Sequence, residues 1–334
     1  MRILLTGGLG FLGHHVCEHL LKTTDAEIVI LDKLSYASSG FDRLREIGAY
    51  DNPRIKILGC DLSQPIPVGV KQEIGDVDYI LHTAAETHVD NSIKDPVPFL
   101  MSNVLGTHHL LWFSRELKQL RRIFAVSTDE AYGPAEFGQD VKGFDEQAPF
   151  RPANPYAAAK AGGECVGMAY ANTYKIPLTI VSTMNLLGQR QMVEKYAPMV
   201  MRRVLLGEQV LIHADSTRTI SGTRFYIHCR NFANALSYLI DQDRAGQPLP
   251  IKIHVAGERE ISNLDLAQMI AGFIGKPLNF QLVDFHSERP GHDLRYALSD
   301  QLIRNMGWKQ PIDIEQSLEQ TVKWYLHNRK WLGL

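Results

Sequence analysis

The feature that most constrains the fold of this chain is an alternation of short apolar runs with helical patterns over its first half. The apolar runs have the length of β-strands and are continuous in isoleucine, valine and leucine, which is typical of parallel strands covered on both faces. Strands that alternate with helices favour a parallel sheet. The sequence therefore predicts an α/β fold with a doubly wound parallel sheet of about six strands, at residues 3–6, 28–31, 55–58, 79–82, 124–127 and 178–182.

The rhythm changes near residue 182, after which the segments are mixed and less regular. Four later elements are predicted from a helical pattern, a short apolar run, a capping-box sequence and an amphipathic pattern, at 231–241, at 251–255, after Ser262 and at 312–331. The first two indicate that the later half of the chain returns once to the sheet. We therefore expect a first domain at 1–185, with a return segment at about 225–256, and a smaller C-terminal α/β domain at 186–334.

Composition and charge exclude several classes of protein. The 334 residues include 35 lysines and arginines against 37 aspartates and glutamates, and the net charge of −2 provides no broad positive field for a nucleic acid or an anionic membrane. No apolar stretch approaches the roughly 20 residues that span a bilayer. The four cysteines form no C-x-x-C pair and no dense disulfide pattern. We therefore expect a cytoplasmic protein with reduced thiols that binds no nucleic acid, no membrane and no metal.

A glycine-rich loop separates the first predicted strand from a helical stretch at 14–22. Gly7 permits a tight turn, Gly10 lets a pyrophosphate approach the backbone, and Gly13 lets the helix pack close to the strand, which together predict a dinucleotide site. The intervening Phe11 belongs to the same loop, as does Leu12. An ordinary glycine-rich turn is the alternative, and the second strand decides between the two.

That second strand ends in an acidic residue, Asp32, about twenty residues further along, where a carboxylate accepts hydrogen bonds from a ribose. The carboxylate also repels a 2′-phosphate and so favours NAD over NADP, although the neighbouring Lys33 weakens this preference. Asp61 and Leu62 follow the third strand and are expected near the adenine. A simple helix N-cap is the alternative role for Asp61.

Tyr156 and Lys160 lie four residues apart in an alanine-rich segment that Pro155 opens, which places both side chains on one face of a helix. An ammonium group beside a phenol stabilises the phenolate and lowers the pKa of the phenol. The phenolate is then a base that can take a hydroxyl proton as hydride leaves the same carbon. A tyrosine and a lysine at this spacing also occur together by chance.

A hydroxyl and two carboxylates, Thr128, Asp129 and Glu130, follow the fifth predicted strand, at the edge where ligands of such sheets bind. With them, the chain resembles the extended short-chain dehydrogenases/reductases and, more narrowly, the nucleotide-sugar 4,6-dehydratases typified by dTDP-glucose 4,6-dehydratase. The resemblance covers nearly the whole chain. Its motifs are the glycine loop, the Thr-Asp-Glu run, Tyr156 with Lys160, residues 84–90 (Ala-Ala-Glu-Thr-His-Val-Asp) and residues 289–296 (Arg-Pro-Gly-His-Asp-Leu-Arg-Tyr).

The resemblance implies a hydro-lyase reaction in three stages. Tyr156, supported by Lys160 and Thr128, removes the C4 hydroxyl proton of a nucleotide-diphosphate hexose while hydride passes to NAD. Glu130 then removes the C5 proton, which the 4-ketone has acidified, as Asp129 protonates the C6 hydroxyl and water is lost. Repulsion between two adjacent carboxylates can hold one of them protonated near neutral pH. Hydride finally returns to C6 and a proton to C5, which gives a 4-keto-6-deoxy sugar.

The same resemblance assigns residues to both ligands and implies a homodimer, with the helices at 104–117 and 156–174 paired across a two-fold axis. The first domain is expected to bind NAD and the second the nucleotide sugar. The implied NAD-binding residues are Gly7, Gly10, Phe11, Leu12, Gly13, Asp32, Lys33, Asp61, Leu62, Ala84, Ala85, Tyr156 and Lys160. The implied nucleotide-sugar residues are Glu86, His88, Asn185, Lys195, Arg224, His292 and Arg295, with Arg218 as a rival to Arg224 for the diphosphate.

The chain departs from the family pattern on the substrate side. Residues 185–189 read Asn-Leu-Leu-Gly-Gln where the family has Asn-Asn-Tyr-Gly-Pro, and a short insertion at 216–222 precedes Arg224. These changes leave the nucleotide open, with dTDP-glucose favoured and UDP-glucose or a UDP-N-acetyl sugar as alternatives.

Two other functions stay open at this point. A nucleotide-sugar 4-epimerase or decarboxylase on the same fold would use the tyrosine and lysine but would need no carboxylate pair to eliminate water. A non-catalytic NAD-binding regulator would have no reason to keep Thr128, Tyr156 and Lys160 together.

Overall fold

The computed structural model describes residues 1–137, 143–284 and 294–334, and a seven-stranded sheet forms its centre. The strands, in chain order, are β1 (Arg2–Thr6), β2 (Glu27–Asp32), β3 (Ile55–Gly59), β4 (Tyr79–His82), β5 (Arg122–Thr128), β6 (Leu178–Thr183), β7 (Leu186–Leu187), β8 (Val210–Ala214), β9 (Thr223–Arg224), β10 (Ile227–His228), β11 (Lys252–Val255), β12 (Ile261–Ser262) and β13 (Phe280–Asp284). The central sheet has the order β11-β6-β5-β4-β1-β2-β3, and every neighbouring pair in it runs parallel.

Helices cover this sheet and build the rest of the chain. They are α1 (Phe11–Thr23), α2 (Asp42–Glu46), α3 (Val68–Ile74), α4 (Val89–Lys94), α5 (Val97–Phe99), α6 (Gly106–Ser114), α7 (Pro155–Tyr174), α8 (Tyr196–Leu206), α9 (Cys229–Arg244), α10 (Asn263–Ile274), α11 (Gln301–Asn305) and α12 (Ile314–His327). A π-helical segment, Leu100–Leu105, joins α5 to α6 without a break. Short 3₁₀ turns lie at Tyr36–Ser38, Asp129–Tyr132 and Arg329–Leu332.

Both faces of the central strands are buried, because successive side chains of a strand point to opposite faces. On β1, Ile3 and Leu5 pack into one apolar cluster with side chains of α1 and α9. The intervening Leu4 packs into a second cluster with side chains of α3 and α6. A strand in this position needs apolar residues at every place, which is why β1 reads as a continuous apolar run.

A separate apolar cluster lies in the later part of the chain. It joins α8, β8, α10 and α12 through side chains that include Val200, Ile212, Leu266 and Leu318. The β8 and β13 strands pair in parallel beside it, while β7 with β10 and β9 with β12 form two short pairs.

The predicted α/β fold with a doubly wound parallel sheet is confirmed. The six predicted strands correspond to β1 to β6, and the strand expected at 251–255 is β11, which extends the sheet beside β6. The expected later helices are α9, α10 and α12, and the Ser262 hydroxyl oxygen caps α10 by accepting a hydrogen bond from the Asp265 backbone N–H at 2.9 Å. Of the helices described, none is both long enough and apolar enough to cross a membrane.

Candidate active site

A cavity of about 360 Å³ opens where the carboxyl ends of β1 to β6 meet. The sheet order reverses between β1 and β4, and ligands of doubly wound sheets bind in the crevice at such a point. The cavity therefore lies where the sequence placed both ligands. The predicted residues that line it are Gly7, Gly10, Phe11, Leu12, Gly13, Asp32, Lys33, Asp61, Leu62, Ala84, Ala85, Glu86, Thr128, Asp129, Glu130, Tyr156, Lys160, Asn185 and Lys195.

The glycine loop forms one end of the cavity and leaves no space for larger residues. Gly7 has a φ of +72°, and a Cβ there would lie 2.7 Å from the Ala84 Cα atom. A Cβ on Gly13 would lie 2.1 Å from the Gly7 carbonyl oxygen, because α1 starts directly against the end of β1. The backbone N–H groups of the first turn of α1 have no partner within the helix, so this end suits an anion such as a pyrophosphate.

The Asp32 carboxylate is held in place by the backbone of two loops. Its two oxygens accept hydrogen bonds from the backbone N–H groups of Leu9, at 3.0 Å, and Leu34, at 2.9 Å. Burial raises the pKa of Asp32, while these two hydrogen bonds act against that rise. Each oxygen keeps a second lone pair, so the carboxylate can still accept hydrogen bonds from ribose hydroxyls.

Lys33, which was expected to weaken the preference for NAD, forms an ion pair with Glu86, with 2.7 Å between its Nζ atom and the Glu86 Oε1 atom. Both residues line the cavity, and Glu86 neutralises the charge of the lysine. Asp61 accepts a hydrogen bond from the Ser63 backbone N–H at 2.9 Å within a turn. The next helix begins at Val68, so Asp61 is not its N-cap.

The hydroxyl and the two carboxylates lie at the end of β5, in the 3₁₀ turn that follows it. The Thr128 hydroxyl donates to the Asp129 Oδ1 atom at 2.9 Å, while the buried Oδ2 atom has no hydrogen-bond partner among the described residues. Burial raises the pKa of Asp129 to about 7, and the Glu130 charge adds to the rise, against the Thr128 hydrogen bond and the Arg224 charge. Asp129 can therefore hold a proton near neutral pH and release it within the cavity.

Glu130 is oriented by the N-cap residue of α7. Its Oε2 atom accepts a hydrogen bond from the Asn154 amide at 3.0 Å. The other end of the same amide caps α7, where Asn154 Oδ1 accepts from the Ala157 backbone N–H at 2.8 Å. One side chain thus fixes both the start of α7 and the Glu130 carboxylate.

Tyr156, which is buried, and Lys160, which is half-buried, project from the first turns of α7, and both line the cavity. Burial, Glu130 and Asp129 all raise the pKa of Tyr156, while a hydrogen bond with the Thr128 hydroxyl lowers it. Lys160 donates to the Val126 carbonyl oxygen at 2.8 Å.

The pKa of the phenol therefore differs from the expectation that a neighbouring ammonium would lower it. The two carboxylates and the loss of solvent dominate over the lysine, whose own pKa burial lowers to about 8. With Asp129 protonated, one of the two negative charges that oppose phenolate formation is removed.

Several residues implied for the substrate lie outside this cavity lining. Arg224 donates to the Thr223 and Leu294 carbonyl oxygens, both at 2.7 Å, and its charge acts on Asp129. Its rival Arg218 is an exposed turn residue with a φ of +59°. Of the two, Arg224 is the one whose charge reaches the catalytic end.

Arg295 forms a forked ion pair with Glu260, at 2.8 and 3.0 Å, and is nearly buried. His88 caps α4, and its Nε2 atom is 3.8 Å from the Glu194 Oε1 atom at the cavity mouth. His292 lies outside the described residues. Where they are described, these side chains have structural partners rather than a place in the lining.

Sequence reasoning did not identify several lining or supporting residues, among them Asn154 and Tyr36. Asn154 directly precedes Pro155, and an N-cap signal of this kind could have indicated it. Tyr36 lies in a loop that offers no such pattern. Over the described parts of the chain, no group of three or more histidine, cysteine, aspartate or glutamate residues is placed to hold a metal ion.

A family model described as GDP-mannose 4,6 dehydratase matches residues 4–321. Among curated relatives, a trifunctional UDP-glucose 4,6-dehydratase/UDP-4-keto-6-deoxy-D-glucose 3,5-epimerase/UDP-4-keto-L-rhamnose-reductase of Arabidopsis thaliana is 34% identical over 333 residues. The match covers 99% of this chain and 48% of the plant protein, so the chain spans about half the length of that relative.

Two further matches cover both partners almost completely. The dTDP-glucose 4,6-dehydratase of Haemophilus influenzae is 32% identical over 349 residues, which is 98% of each chain. The crystal structure of DesIV, the dTDP-glucose 4,6-dehydratase of Streptomyces venezuelae, with NAD and TYD bound, matches with a TM-score of 0.85 and 32% identity. That match covers 99% of this chain and 98% of the Streptomyces chain.

Proposed function

The chain belongs to the GDP-mannose 4,6 dehydratase family, and on that basis we propose that it is an NAD-dependent hydro-lyase that converts a nucleotide-diphosphate hexose into its 4-keto-6-deoxy sugar. Such products serve deoxysugar biosynthesis. One observation carries this proposal. A carboxyl group with a pKa near 7, a carboxylate, a tyrosine and a lysine share one end of a single cavity.

The geometry of the glycine loop and of Asp32 supports NAD as the cofactor. A side chain at Gly7 or Gly13 would collide with backbone, and the Asp32 carboxylate is fixed beside the loop with lone pairs available. We propose that Gly7, Gly10 and Gly13 hold the pyrophosphate and that Asp32 holds the ribose, within a domain at 1–185 with its return segment at about 225–256. Acceptance and return of hydride is the chemistry that NAD supplies when it is bound.

Tyr156 acts first, as the base that takes the C4 hydroxyl proton of the sugar. With Asp129 protonated, the Thr128 hydroxyl hydrogen is no longer held by the Asp129 carboxylate and can be donated to the phenolate, whose charge the Lys160 ammonium compensates. Protonation of Asp129 before this step lowers the energy of the phenolate. The sugar leaves this stage as a 4-ketone, whose C5–H bond is acidic.

The two carboxyl groups then divide the elimination between them. Glu130, held by Asn154, takes the C5 proton, and the C5–H electron pair forms the C5–C6 double bond. Asp129 gives its proton to the C6 hydroxyl, which leaves as water. In the last stage C6 is reduced, and Glu130, whose proton exchanges with solvent, protonates C5. The C4 ketone is kept, so the proton that Tyr156 took from the C4 hydroxyl passes through solvent to Asp129, which restores both groups for the next turnover.

The residues at 186–334 are proposed to bind the nucleotide diphosphate, together with Asn185. Asn185 and Lys195 line the cavity, and we assign the charge opposite the diphosphate to Lys195, with Arg224 rather than Arg218 as its partner. We propose dTDP-glucose or UDP-glucose as the substrate, because the relatives that match act on one or the other by name.

Proton NMR in heavy water tests this function. The purified protein is incubated separately with dTDP-glucose, UDP-glucose, UDP-N-acetylglucosamine and GDP-mannose. A new C6 methyl signal with deuterium at C5 is expected for one of the first two. A C4 epimer would move the assignment to an epimerase. Four unchanged sugars would instead favour a non-catalytic NAD-binding regulator.

We also infer a homodimer from an exposed aromatic cluster on the helices expected to pair. Trp112 of α6 and Tyr174 of α7 are 47% and 43% exposed, and the Arg115 guanidinium lies 4.1 and 4.2 Å from their ring centroids. Sedimentation of the wild type is expected to give a dimer, and Trp112→Asp a monomer. Val68→Asp, which changes a still more exposed apolar residue on α3, is the control and should stay dimeric.

The cysteines support a cytoplasmic location. Cys17, Cys60, Cys165 and Cys229 are all free thiols, as expected for a reducing compartment. Fractionation of the native host tests this, with recovery in the soluble fraction expected and recovery with exported proteins as the contrary result.

A further inference from the structure

A buried cluster of charge lies directly behind Tyr156 and Lys160. Glu164 follows Lys160 by one turn of α7, so the two side chains share a face of the helix, and Glu164 is only 4% exposed. Its Oε1 atom accepts a hydrogen bond from the Ser127 hydroxyl at 2.5 Å. Its Oε2 atom is 3.4 Å from the ammonium nitrogen of Lys252 on β11.

This arrangement does not serve packing alone. Glu164 and Lys252 are buried and Lys160 is half-buried, and replacing buried charged groups with apolar residues of similar size is often neutral or stabilising. The single carboxylate lies between two cations. Lys252 is also held over the rings of Tyr132 and Phe150, at 4.6 and 4.3 Å, so it has a second source of stabilisation that Lys160 lacks.

The cluster reaches the active site through two connections. Ser127 is the residue before Thr128, so the hydrogen bond that holds Glu164 also fixes the end of β5. Lys160 lines the active-site cavity and also a small internal cavity of about 20 Å³, which it shares with Glu164, Ser127 and Asn103. A polar cavity of that size can hold one water molecule between these groups.

We propose that Glu164 is a positioning residue that keeps the Lys160 ammonium charged and directed at Tyr156, and that Lys252 competes with Lys160 for the same carboxylate. This inference rests on the proposed function, because it concerns the lysine that supports the tyrosine base. Glu164 touches neither ligand site, since it does not line the active-site cavity.

The titratable and charged groups around Lys160 come from four parts of the structure. Tyr156 and Glu164 lie on α7, and His82 lies on β4. Asp129 and Glu130, from the turn after β5, line the active-site cavity with Lys160, and Lys252 of β11 acts on Glu164. Burial lowers the pKa of Lys160, and the Glu164 charge opposes that fall. Removing the Glu164 charge should therefore shift the loss of the Lys160 proton to lower pH, by about one unit or more.

The experiment measures the Lys160 titration directly and the oxidation step separately. Protein carrying ¹³C-labelled lysine is titrated by NMR, with the Lys160 signal identified by its loss in Lys160→Met. Single-turnover formation of NADH from dTDP-glucose or UDP-glucose is then followed against pH. The variants are Glu164→Gln, Glu164→Asp and the double variant Glu164→Gln with Lys252→Met. Glu146→Gln is the matched control. It removes another carboxylate near Lys252, but Glu146 precedes α7 and does not share a helix face with Lys160.

In Glu164→Gln, the Lys160 titration and the alkaline loss of oxidation are both expected about one pH unit lower, and Glu164→Asp should recover most of that shift. The double variant should keep the lowered Lys160 titration. Its free energy of unfolding should recover relative to Glu164→Gln, because Lys252 is no longer left without its carboxylate partner. If the double variant restores the wild-type titration, or if Glu164→Gln leaves it unchanged, the proposal is wrong and Glu164 only neutralises Lys252. The proposed function fails separately if the Lys160 titration shifts between wild type and Glu164→Gln as expected but the wild type converts neither sugar.

Discussion

Tyr156 and Glu130 lie in one cavity but are assigned to different stages of the reaction. Tyr156→Phe removes the group proposed to take the C4 proton, so no transient NADH should form from a bound sugar. Glu130→Gln leaves that step intact and blocks removal of the C5 proton, so NADH should form and persist. Each change should slow overall turnover by about 10² to 10⁴-fold, as expected for loss of a general base. Rapid-mixing absorbance of the NAD-loaded enzyme distinguishes the two variants.

Equal loss of NADH formation in both variants would show that the roles are not divided in this way. Asn185→Ser is a useful control for substrate binding, since Asn185 lines the cavity without belonging to the acid and base groups. It should weaken the apparent affinity for the sugar and leave the order of the stages unchanged.

The raised pKa of Asp129 makes the free energy of unfolding depend on pH. Its pKa in the folded protein, about 7, lies above the value of 3.8 for an unperturbed aspartate. The folded state therefore binds the proton more tightly, so the stabilising contribution of this group is full below pH 3.8 and is lost as the pH rises through 7. Asp129→Asn should raise the free energy of unfolding at pH 8, by on the order of 2 kcal/mol, and change it little near pH 4.

Urea unfolding of Asp129→Asn and of wild type at the two pH values measures this difference. Asp61→Asn, at an exposed turn, is the control and should show no such dependence. A variant that is equally stabilised at both pH values would mean that Asp129 is ionised throughout, and would remove the acid from the elimination step.

At the scale of elements, the N-terminus of α7 connects the helix that carries the base to the turn that carries the acids. The Asn154 side chain makes both connections, one to the Ala157 backbone N–H and one to Glu130. Asn154→Ser keeps a good N-cap but removes the amide donor, so stability should fall by only a few tenths of a kcal/mol. Elimination should slow about tenfold, the effect of losing a hydrogen bond to a charged group worth about 1.5 kcal/mol.

The rate of NADH decay in a single turnover, compared with the rate of its formation, reports this effect. Ser262→Asn, which exchanges one good N-cap for another on α10, is the control and should change neither rate. Slower formation of NADH in Asn154→Ser with unchanged decay would assign Asn154 to Tyr156 instead of Glu130.

Strands and helices with strong local patterns could be predicted from the sequence. Segments whose conformation depends on contacts with distant parts of the chain could not. The run at 3–6 needs no tertiary knowledge, because a buried parallel strand is apolar at every position. The π-helical segment Leu100–Leu105 has no local signal. It directs Asn103 to the Glu86 backbone, which Asn103 contacts through both a 2.9 Å and a 3.0 Å hydrogen bond.

The site residues also divide into those that a local signal predicts and those that distant contacts place. Residues that the sheet edge brings together, such as Thr128 and Asp32, could be predicted because their strands end there. Arg295 could not be placed, since its partner Glu260 is 35 residues away and has no motif of its own. The pKa of Tyr156 also depends on burial and on two carboxylates from another element, which spacing along one helix does not reveal.

At the scale of the whole molecule, buried neutral histidines set the response to acid. Burial lowers the pKa of His14, His15, His82, His228 and His254, to about 3 for His15 and His82 and about 4 for His254. Below pH 6.5 the unfolded chain binds more protons than the folded one, so stability falls as the pH drops through that range. The loss should reach up to about 1.4 kcal/mol per histidine for each pH unit.

Thermal unfolding between pH 8 and pH 5 should show this fall. His15→Gln, at a site where the ring contacts the Gln189 carbonyl oxygen at 3.0 Å, should make the fall shallower. His327→Gln, at an exposed position near the end of α12, should leave its slope unchanged. A wild-type stability that does not change between pH 7 and pH 5 would contradict the burial of neutral imidazoles.

The central claim, 4,6-dehydration, concerns the whole molecule, because one cavity must oxidise C4, eliminate water and reduce C6 without releasing its cofactor. The most direct test uses dTDP-glucose and UDP-glucose that carry deuterium at C4, in ordinary water with a small amount of the enzyme. Mass spectrometry and NMR of the product should find that deuterium in the C6 methyl group, with a solvent proton at C5. Deuterium that stays at C4 of an epimer, or that is lost from the sugar, would contradict 4,6-dehydration by this site.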